Sequence, residues 1–221
     1  MNKILVVATH PDDETLGCGG TLIKHKKNGD QIYWMVVTKM YKENGYSESK
    51  ITEKNKIIEM VDKKYGFKKS YSLGFPAGNM DSIPLAEIIA RICEIIKKVR
   101  PNIIYVPFKG DIHSDHRITF EAVASSCKRF RNPFIDKIRV YETISETDQS
   151  LDFDSHFKPN LWIDIKNEIK KKIEIMNLYK DEISEHPFPR SSENIKALSV
   201  FRGATVNMKN AESFMILRDI E

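Results

Sequence analysis

Short apolar runs alternate along the chain with longer segments that repeat apolar residues at helical spacing. The runs predict strands, because nearly continuous apolar sequence is typical of parallel strands covered on both faces. They span residues 3–9, 31–38, 71–73, 103–107, 137–142, 161–165 and 214–217. The periodic segments predict helices at residues 14–27, 51–65, 82–100, 118–129 and 168–182. Residues 39–49 are polar and predict a long loop.

The alternation of strand and helix over the first two-thirds of the chain predicts the fold class. It favours an α/β fold with a mostly parallel, doubly wound (Rossmann-like) sheet, helices on both faces and right-handed crossovers. The sequence contains no internal repeat and no linker. Its length of 221 residues suits one domain over residues 1–221.

Composition and charge narrow the class of protein. Hydrophobic residues make up 41% of the chain, which is enough for a sizeable core. The net charge of +4 implies no nucleic-acid partner. No apolar stretch reaches the roughly 18 residues that a membrane span needs, and no signal peptide is visible. We therefore expect a soluble, cytoplasmic protein with no integral membrane segment, which could form a homo-oligomer.

Two clusters of metal-type ligands follow predicted strands. His10-Pro11-Asp12-Asp13-Glu14 comes directly after the first strand, and Asp111-Ile112-His113-Ser114-Asp115-His116 follows the strand at 103–107. The carboxyl ends of parallel strands meet at one edge of a sheet, where open α/β folds bind their ligands. Nitrogen and oxygen ligands without cysteine are typical of a catalytic zinc site with one position left open for water. The pattern therefore indicates a metal-dependent hydrolase.

Spacing within the first cluster suggests a division of roles. His10 and Asp13 are three positions apart, so on a tight turn or first helical turn they face the same way and can bind one ion. Asp12 points elsewhere. A carboxylate beside a metal-bound water can accept its proton as a general base.

The second cluster repeats the same spacing. Either His113 or His116 can complete the metal site, which leaves the other to donate to the oxyanion or to the leaving group. Asp115 lies between them and can orient one imidazole.

Simpler interpretations exist for each cluster alone. A His-Pro-Asp sequence at a strand end is often only a turn whose Asp caps the following helix. Two such clusters after two strands of one sheet favour a functional site instead. Gly17-Cys18-Gly19-Gly20 lacks the spacing of a phosphate-binding loop, so it indicates close helix packing or room for substrate.

These motifs resemble those of the PIG-L/LmbE-like family of zinc-dependent N-acetylglucosaminyl deacetylases. The chain matches the family's His-Pro-Asp-Asp-Glu and His-x-Asp-His motifs at residues 10–14 and 113–116, and weaker matches continue to its end. The resemblance implies that Zn²⁺ is bound by His10, Asp13 and His116, and that Asp12 is the general base. It also implies that His113, tuned by Asp115, stabilises the oxyanion or protonates the leaving amine. The implied reaction is hydrolysis of the N-acetyl group of an amino sugar, which releases acetate.

The departures from the family pattern lie on the substrate side. Ala77 stands where many relatives carry Asp, and 38–41 reads Thr-Lys-Met-Tyr in place of Thr-x-Gly-Glu. An Arg often found at the start of the next helix is absent, and Lys54 is the nearest candidate. Lys54 and Arg202 are the expected substrate contacts. The substrate is expected to be a small N-acetylated amino sugar or a larger conjugate, nucleotide- or lipid-linked.

Two other functions stay open at this stage. One is a metal-dependent amidase or esterase that acts on another substrate class. The other is a non-catalytic carbohydrate- or nucleotide-binding protein. Asp12 separates the enzymes from the binding protein, because a binding protein has no need of a base beside a metal.

Overall fold

The structure, a computed structural model, describes residues 1–151 and 154–221 and contains one seven-stranded sheet over these ranges. The strands are β1 (Lys3–Ala8), β2 (Gln31–Lys39), β3 (Lys69–Pro76), β4 (Ile103–Pro107), β5 (Lys137–Tyr141), β6 (Leu161–Asp164) and β7 (Ala211–Asp219). The α-helices are α1 (Asp13–Lys27), α2 (Glu48–Tyr65), α3 (Leu85–Val99), α4 (Ser114–Ser126), α5 (Ile169–Met176) and α6 (Ser192–Ala204).

The sheet is mostly parallel, as the sequence predicted. Its strand order is β3-β2-β1-β4-β5-β7-β6, and β1 to β5 pair in parallel. β7 runs antiparallel to both β5 and β6. The chain leaves β1 toward β2 on one side and reaches β4 on the other. This switch point opens a crevice at the carboxyl ends of β1 and β4, the usual ligand site of such folds.

Side chains on the two faces of the sheet pack into two separate cores. Ile4, Val6 and Ala8 of β1 face α1, α2, α5 and α6, whereas Leu5 and Val7 face α3 and α4. Successive strand residues point to opposite faces, so a fully apolar strand buries both of its sides. This explains why the apolar runs predicted the central strands well.

Element boundaries differ from the predictions at several places. α4 begins at Ser114, four residues earlier than predicted, which places His116 in its first turn. α5 ends at Met176, and a 3-10 turn at Lys180–Glu182 replaces the rest of the predicted helix. α6 was not predicted. Its interior buries only Ile195, Ser199 and Gly203, so its sequence lacks a continuous apolar stripe.

The glycine-rich segment after the first cluster serves packing. A Cβ at Gly17 would overlap the ring of Tyr141, and a Cβ at Gly20 would lie 2.8 Å from Ile165. Only glycine therefore allows α1 to approach the sheet and its flanking loop this closely. Of the two interpretations left open by the sequence, close packing accounts for both positions.

α1 is kinked within this segment, and a buried ion pair supports the kink. Cys18 has φ −142° and ψ 21°, outside helical values. The carboxylate of Glu212 on β7 accepts hydrogen bonds from the N–H groups of Gly20 (2.9 Å) and Thr21 (2.7 Å). Lys172 donates to the same carboxylate at 2.7 Å. The backbone groups freed by the kink are thus satisfied, and the part of α1 that follows the kink is held against β7.

Across the ranges 1–151 and 154–221, no helix is both long and apolar enough to cross a lipid bilayer.

Candidate active site and metal centre

Three side chains from the ends of β1 and β4 converge at the crevice. His10 follows β1, Asp13 is the first residue of α1, and His116 lies in the first turn of α4. His116 Nε2 lies 3.3 Å from His10 Nδ1 and 3.3 Å from Asp13 Oδ2. His10 Nδ1 lies 3.8 Å from the same Asp13 oxygen. Ligand atoms about 2.0–2.2 Å from a tetrahedral zinc ion are separated by similar distances, so this trio suits one metal ion.

Each of the two histidines is oriented by a carboxylate on its other ring nitrogen. Asp115 Oδ2 lies 3.1 Å from His10 Nε2, and Asp111 Oδ2 lies 2.8 Å from His116 Nδ1. Asp111 is itself held by the hydroxyl of Thr147 at 2.6 Å. Such outer partners fix the tautomer and ring orientation of a metal-binding histidine. They leave His10 Nδ1 and His116 Nε2 free to face the ion.

The electrostatics of the trio favour a cation. Burial acts to lower the pKa of His116, but Asp13 and Asp111 raise it to about 10. Burial likewise opposes ionisation of Asp13, but the two histidines lower the pKa of its carboxyl overall. The carboxylates therefore stabilise positive charge at this point of the molecule, as a divalent-metal site requires.

Asp12 adopts an unusual backbone conformation next to the trio. Its φ of 141° is rare for a residue with a side chain. The buried Glu14 accepts a hydrogen bond from the N–H of Asp12 at 3.2 Å, and Glu14 is held in turn by the hydroxyl of Tyr179. Burial, followed by the charge of Asp13, raises the pKa of the Asp12 carboxyl well above its usual value. A carboxylate in this environment has a strong tendency to take up a proton.

Arg190 is a site residue that the sequence did not indicate. Its guanidinium lies 2.9 Å from Asp12 Oδ2 and opposes the rise in the pKa of that carboxyl. The same group contacts Glu146 at 3.0 Å and Glu182 at 3.1 Å. Arg190 comes from the segment before α6, 178 positions from Asp12, and no local motif marks it.

His113 lies beside His10, with ring centroids 4.6 Å apart. Both rings line a cavity that opens at the crevice. Its Nδ1 accepts a hydrogen bond from the backbone N–H of Asp115 at 3.1 Å. Burial and then the neighbouring His10 lower the pKa of His113 to about 4. At neutral pH the imidazole is therefore uncharged and carries its proton on Nε2, available for donation.

Asp115 acts on two of the histidines. Its carboxylate contacts His10 Nε2 and accepts hydrogen bonds from the N–H groups of Gly78 (2.7 Å) and Met80 (3.2 Å). Burial lowers the pKa of His113, and the charge of Asp115 opposes this change. The contact between Asp115 and His10 is one that the sequence did not indicate.

The two expected substrate contacts lie in different places. Lys54 lines the cavity with His10 and His113, and its ammonium donates to Glu182 at 2.6 Å. Arg202 lies outside this cavity and is engaged with both carboxylate oxygens of Glu142. The prediction of Arg202 as a substrate contact is therefore not supported by its position, because the guanidinium is already paired elsewhere.

The cavity that contains these groups has a volume of about 450 Å³. Pockets of about 300–1,000 Å³ commonly hold small-molecule ligands. His10, Asp12 and His113 line this cavity, and so does Trp34 of β2. Trp34 is fully buried in the core, and it also forms part of the cavity wall.

The chain is similar to several known proteins in sequence and in fold. The chain is 22% identical to diacetylchitobiose deacetylase of Thermococcus kodakarensis, over all of the chain and 85% of that relative. Its fold is similar to that of the conserved protein TT1542 from Thermus thermophilus, with a TM-score of 0.80 and 23% identity over 100% of this chain and 97% of that one. It is also similar to GalB, the 4-carboxy-2-hydroxymuconate hydratase of Pseudomonas putida, with a TM-score of 0.76 and 14% identity over 100% and 98% of the two chains.

A family match accounts for both ligand clusters together. The sequence model of PIG-L, described as GlcNAc-PI de-N-acetylase, matches residues 5–127, which is more than half of the chain and includes every residue of the trio. The chain therefore belongs to the PIG-L family of deacetylases.

Proposed function

We propose that this protein is a zinc-dependent hydrolase that removes the N-acetyl group from an N-acetylated amino sugar, free or conjugated, and releases acetate. The observation that carries the proposal is the convergence of His10, Asp13 and His116 beside the buried carboxylate of Asp12. Membership of a deacetylase family and the likeness to a diacetylchitobiose deacetylase support the same reaction class.

The positions of the residues support the following roles. A divalent ion held by His10, Asp13 and His116 would polarise the amide carbonyl and lower the pKa of a water molecule to about 7. Asp12 accepts the proton of the attacking water, whose oxygen adds to the amide carbon. His113 donates a hydrogen bond from Nε2 to the carbonyl oxygen as negative charge develops there.

Proton balance completes the reaction. The proton taken up by Asp12 passes to the nitrogen as the C–N bond breaks, which yields the free amine and acetic acid, and the acid ionises to acetate. The raised pKa of Asp12 suits this return of the proton. Arg190 keeps the carboxylate oriented between the two proton transfers.

Zinc is proposed over magnesium or calcium because of the ligand types. Two imidazoles and one carboxylate suit zinc, whereas magnesium and calcium prefer oxygen ligands. A small amino sugar or its conjugate is proposed as the partner. Action in the cytoplasm and assembly into a homo-oligomer stay predictions from the sequence.

Two alternatives make different predictions. A metal-dependent amidase or esterase would use the same residues on another class of compound, so only a substrate panel separates it from a sugar deacetylase. A non-catalytic binding protein would keep its ligand affinity after replacement of Asp12. The paired Asp12 and Arg190 favour an enzyme, since they place a proton acceptor where a binding site needs none.

Metal analysis combined with an acetate-release assay tests the proposal. The purified protein is expected to hold one zinc per chain and to release acetate from N-acetylated amino sugars. His10→Ala and His116→Ala should each remove the metal and the activity, whereas His156→Ala, at an exposed position, should change neither. Stoichiometric zinc unaffected by the first two changes would contradict the site.

A further inference from the structure

The active-site cavity continues well beyond the space that an acetamido group needs. Thr38 at the end of β2 lines the cavity near the metal ligands, and Trp34 lines it four residues earlier on the same strand. At about 3.3 Å per strand residue, the residues of β2 that line the cavity span roughly 13 Å of the strand. We call this extension the inner arm. Its lining residues include Trp34, Val36, Ser70, Ser72, Ile51 and Ile58.

The inner arm lies between the sheet and α2. Val36 and Ser72 are register partners on β2 and β3, as are Trp34 and Ser70, so these four residues form its floor. Ile58 of α2 lines it from above the sheet. Stacking of Trp34 on Phe67, with ring centroids 5.3 Å apart, fixes the floor at its far end.

Two polar atoms at the far end lack partners. The indole Nε1 of Trp34 and the hydroxyl of Ser70 are buried and have no hydrogen-bond partner among the described residues. The two residues are register neighbours on one face of the sheet. Because both atoms lie within the wall and present no surface to the cavity, they offer a ligand no hydrogen bond, and the far end of the cavity is apolar in character.

The charges around the cavity argue against an anionic occupant of the inner arm. Of the described residues that line the cavity, three carry a positive charge: Lys39, Lys54 and Arg190. Lys54 is paired with Glu182, and Arg190 with Asp12, Glu146 and Glu182. Lys39 is exposed at the end of β2, near the active site rather than beside Trp34. A phosphate in the inner arm would therefore lose its hydration without gaining a free cation.

We propose that the inner arm binds an elongated, uncharged and largely apolar group of the substrate. The proposal rests on the proposed deacetylase function and narrows its substrate class. An apolar group attached to the sugar and an acyl chain longer than acetyl have the same chemistry, so the experiment tests one compound of each kind.

Three compounds test the inner arm: N-acetylglucosamine, its 4-nitrophenyl β-glycoside, and N-hexanoylglucosamine. Release of the free amine gives kcat/KM for all three. At least one extended compound is expected to exceed N-acetylglucosamine by about tenfold or more, since remote binding energy can be used at the reacting centre. A preference for the glycoside would mean that a group attached to the sugar occupies the inner arm. A preference for the hexanoyl amide would mean that the acyl chain occupies it. If neither extended compound exceeds N-acetylglucosamine, the inner arm is not a substrate site.

Variants that fill the inner arm locate the effect. Ile58→Trp on α2 and Ser72→Phe on β3 both replace residues that line the arm. Each should reduce the ratio of kcat/KM for the extended compound to kcat/KM for N-acetylglucosamine to about one. Met60→Trp is the matched control, because Met60 is 43% exposed on the same helix and does not line the cavity. A preference that survives both filling variants in folded protein would overturn the proposal.

Fluorescence separates this proposal from the deacetylase function. The chain has two tryptophans, so Trp162→Phe leaves Trp34 as the sole emitter. The nitrophenyl group of the glycoside should quench Trp34, and Ser72→Phe in this background should abolish the quenching. Quenching without hydrolysis of any compound would support the inner arm and contradict the proposed function. Hydrolysis of N-acetylglucosamine without quenching, and without preference for the hexanoyl amide, would support the proposed function and contradict the inner arm.

Discussion

Arg190 Nη1 lies 2.9 Å from Asp12 Oδ2, so a residue near the carboxyl end of the chain supports the proposed general base near its amino end. The guanidinium also contacts Glu146 and Glu182, and it is the shared partner of three carboxylates. An arginine suits this position because its planar group carries several donors in a fixed geometry. Asp12, Glu146 and Glu182 would otherwise repel one another.

We expect Arg190→Met to reduce kcat/KM by about 10–10²-fold while zinc is retained. Arg190 lowers the pKa of Asp12, so its removal should raise that pKa further. The base is then deprotonated only at higher pH, and the acidic limb of the pH profile should move toward alkaline pH. Arg202→Met is the control, since this arginine pairs with Glu142 outside the cavity. An unshifted acidic limb would contradict the role of Arg190.

Replacement of the base should separate chemistry from metal binding. Asp12→Asn is expected to lower kcat/KM by about 10²–10⁴-fold, because the amide cannot accept the proton of the attacking water. The zinc content should stay at one per chain, since His10, Asp13 and His116 are intact. Metal analysis beside the acetate assay measures both. Loss of zinc together with activity would mean that Asp12 is itself a ligand.

The carboxylate behind His116 should influence metal affinity. Asp111→Asn keeps the size of the side chain but removes the negative charge that lies 2.8 Å from His116 Nδ1. Loss of such an outer partner typically weakens metal binding by about 10–100-fold. Competition with a chelator of known affinity measures the change. Asp81→Asn, at an exposed position, is the control, and equal zinc affinity in both variants would exclude a role for Asp111.

Gly17→Ala tests the close approach of α1 to Tyr141. Helix propensity alone predicts that alanine stabilises a helix by about 1 kcal/mol relative to glycine. The overlap of the new Cβ with the Tyr141 ring predicts the opposite sign, a loss of about 1–3 kcal/mol. Urea unfolding at equal metal saturation measures the difference. A stabilised variant would show that the ring can move aside, and that packing does not require glycine there.

Much of the fold could be predicted from local sequence. β1, β2 and β4 are buried on both faces, so each is nearly continuously apolar, and their predicted positions agree with the structure. α6 and the ends of α4 and α5 could not be predicted as well. Their buried faces are narrow, and contacts with the rest of the molecule decide where these helices start and stop.

The sequence by itself determined the chemical types at the site. The side chains of His10, Asp13 and His116 follow strands that the apolar pattern identifies, and the order of parallel strands brings their ends together. It also placed Asp12 beside them. These features depend on short stretches of chain, so composition and spacing are sufficient to find them.

Only the tertiary structure decided which partner each of these groups has. Asp115 contacts His10 across 105 positions, and Arg190 reaches Asp12 across 178. The inner arm likewise arises from residues of β2, β3 and α2 that only the packing of α2 on the sheet brings together. Such contacts depend on the path of the whole backbone, which brings residues distant in sequence together. No local sequence pattern encodes that path.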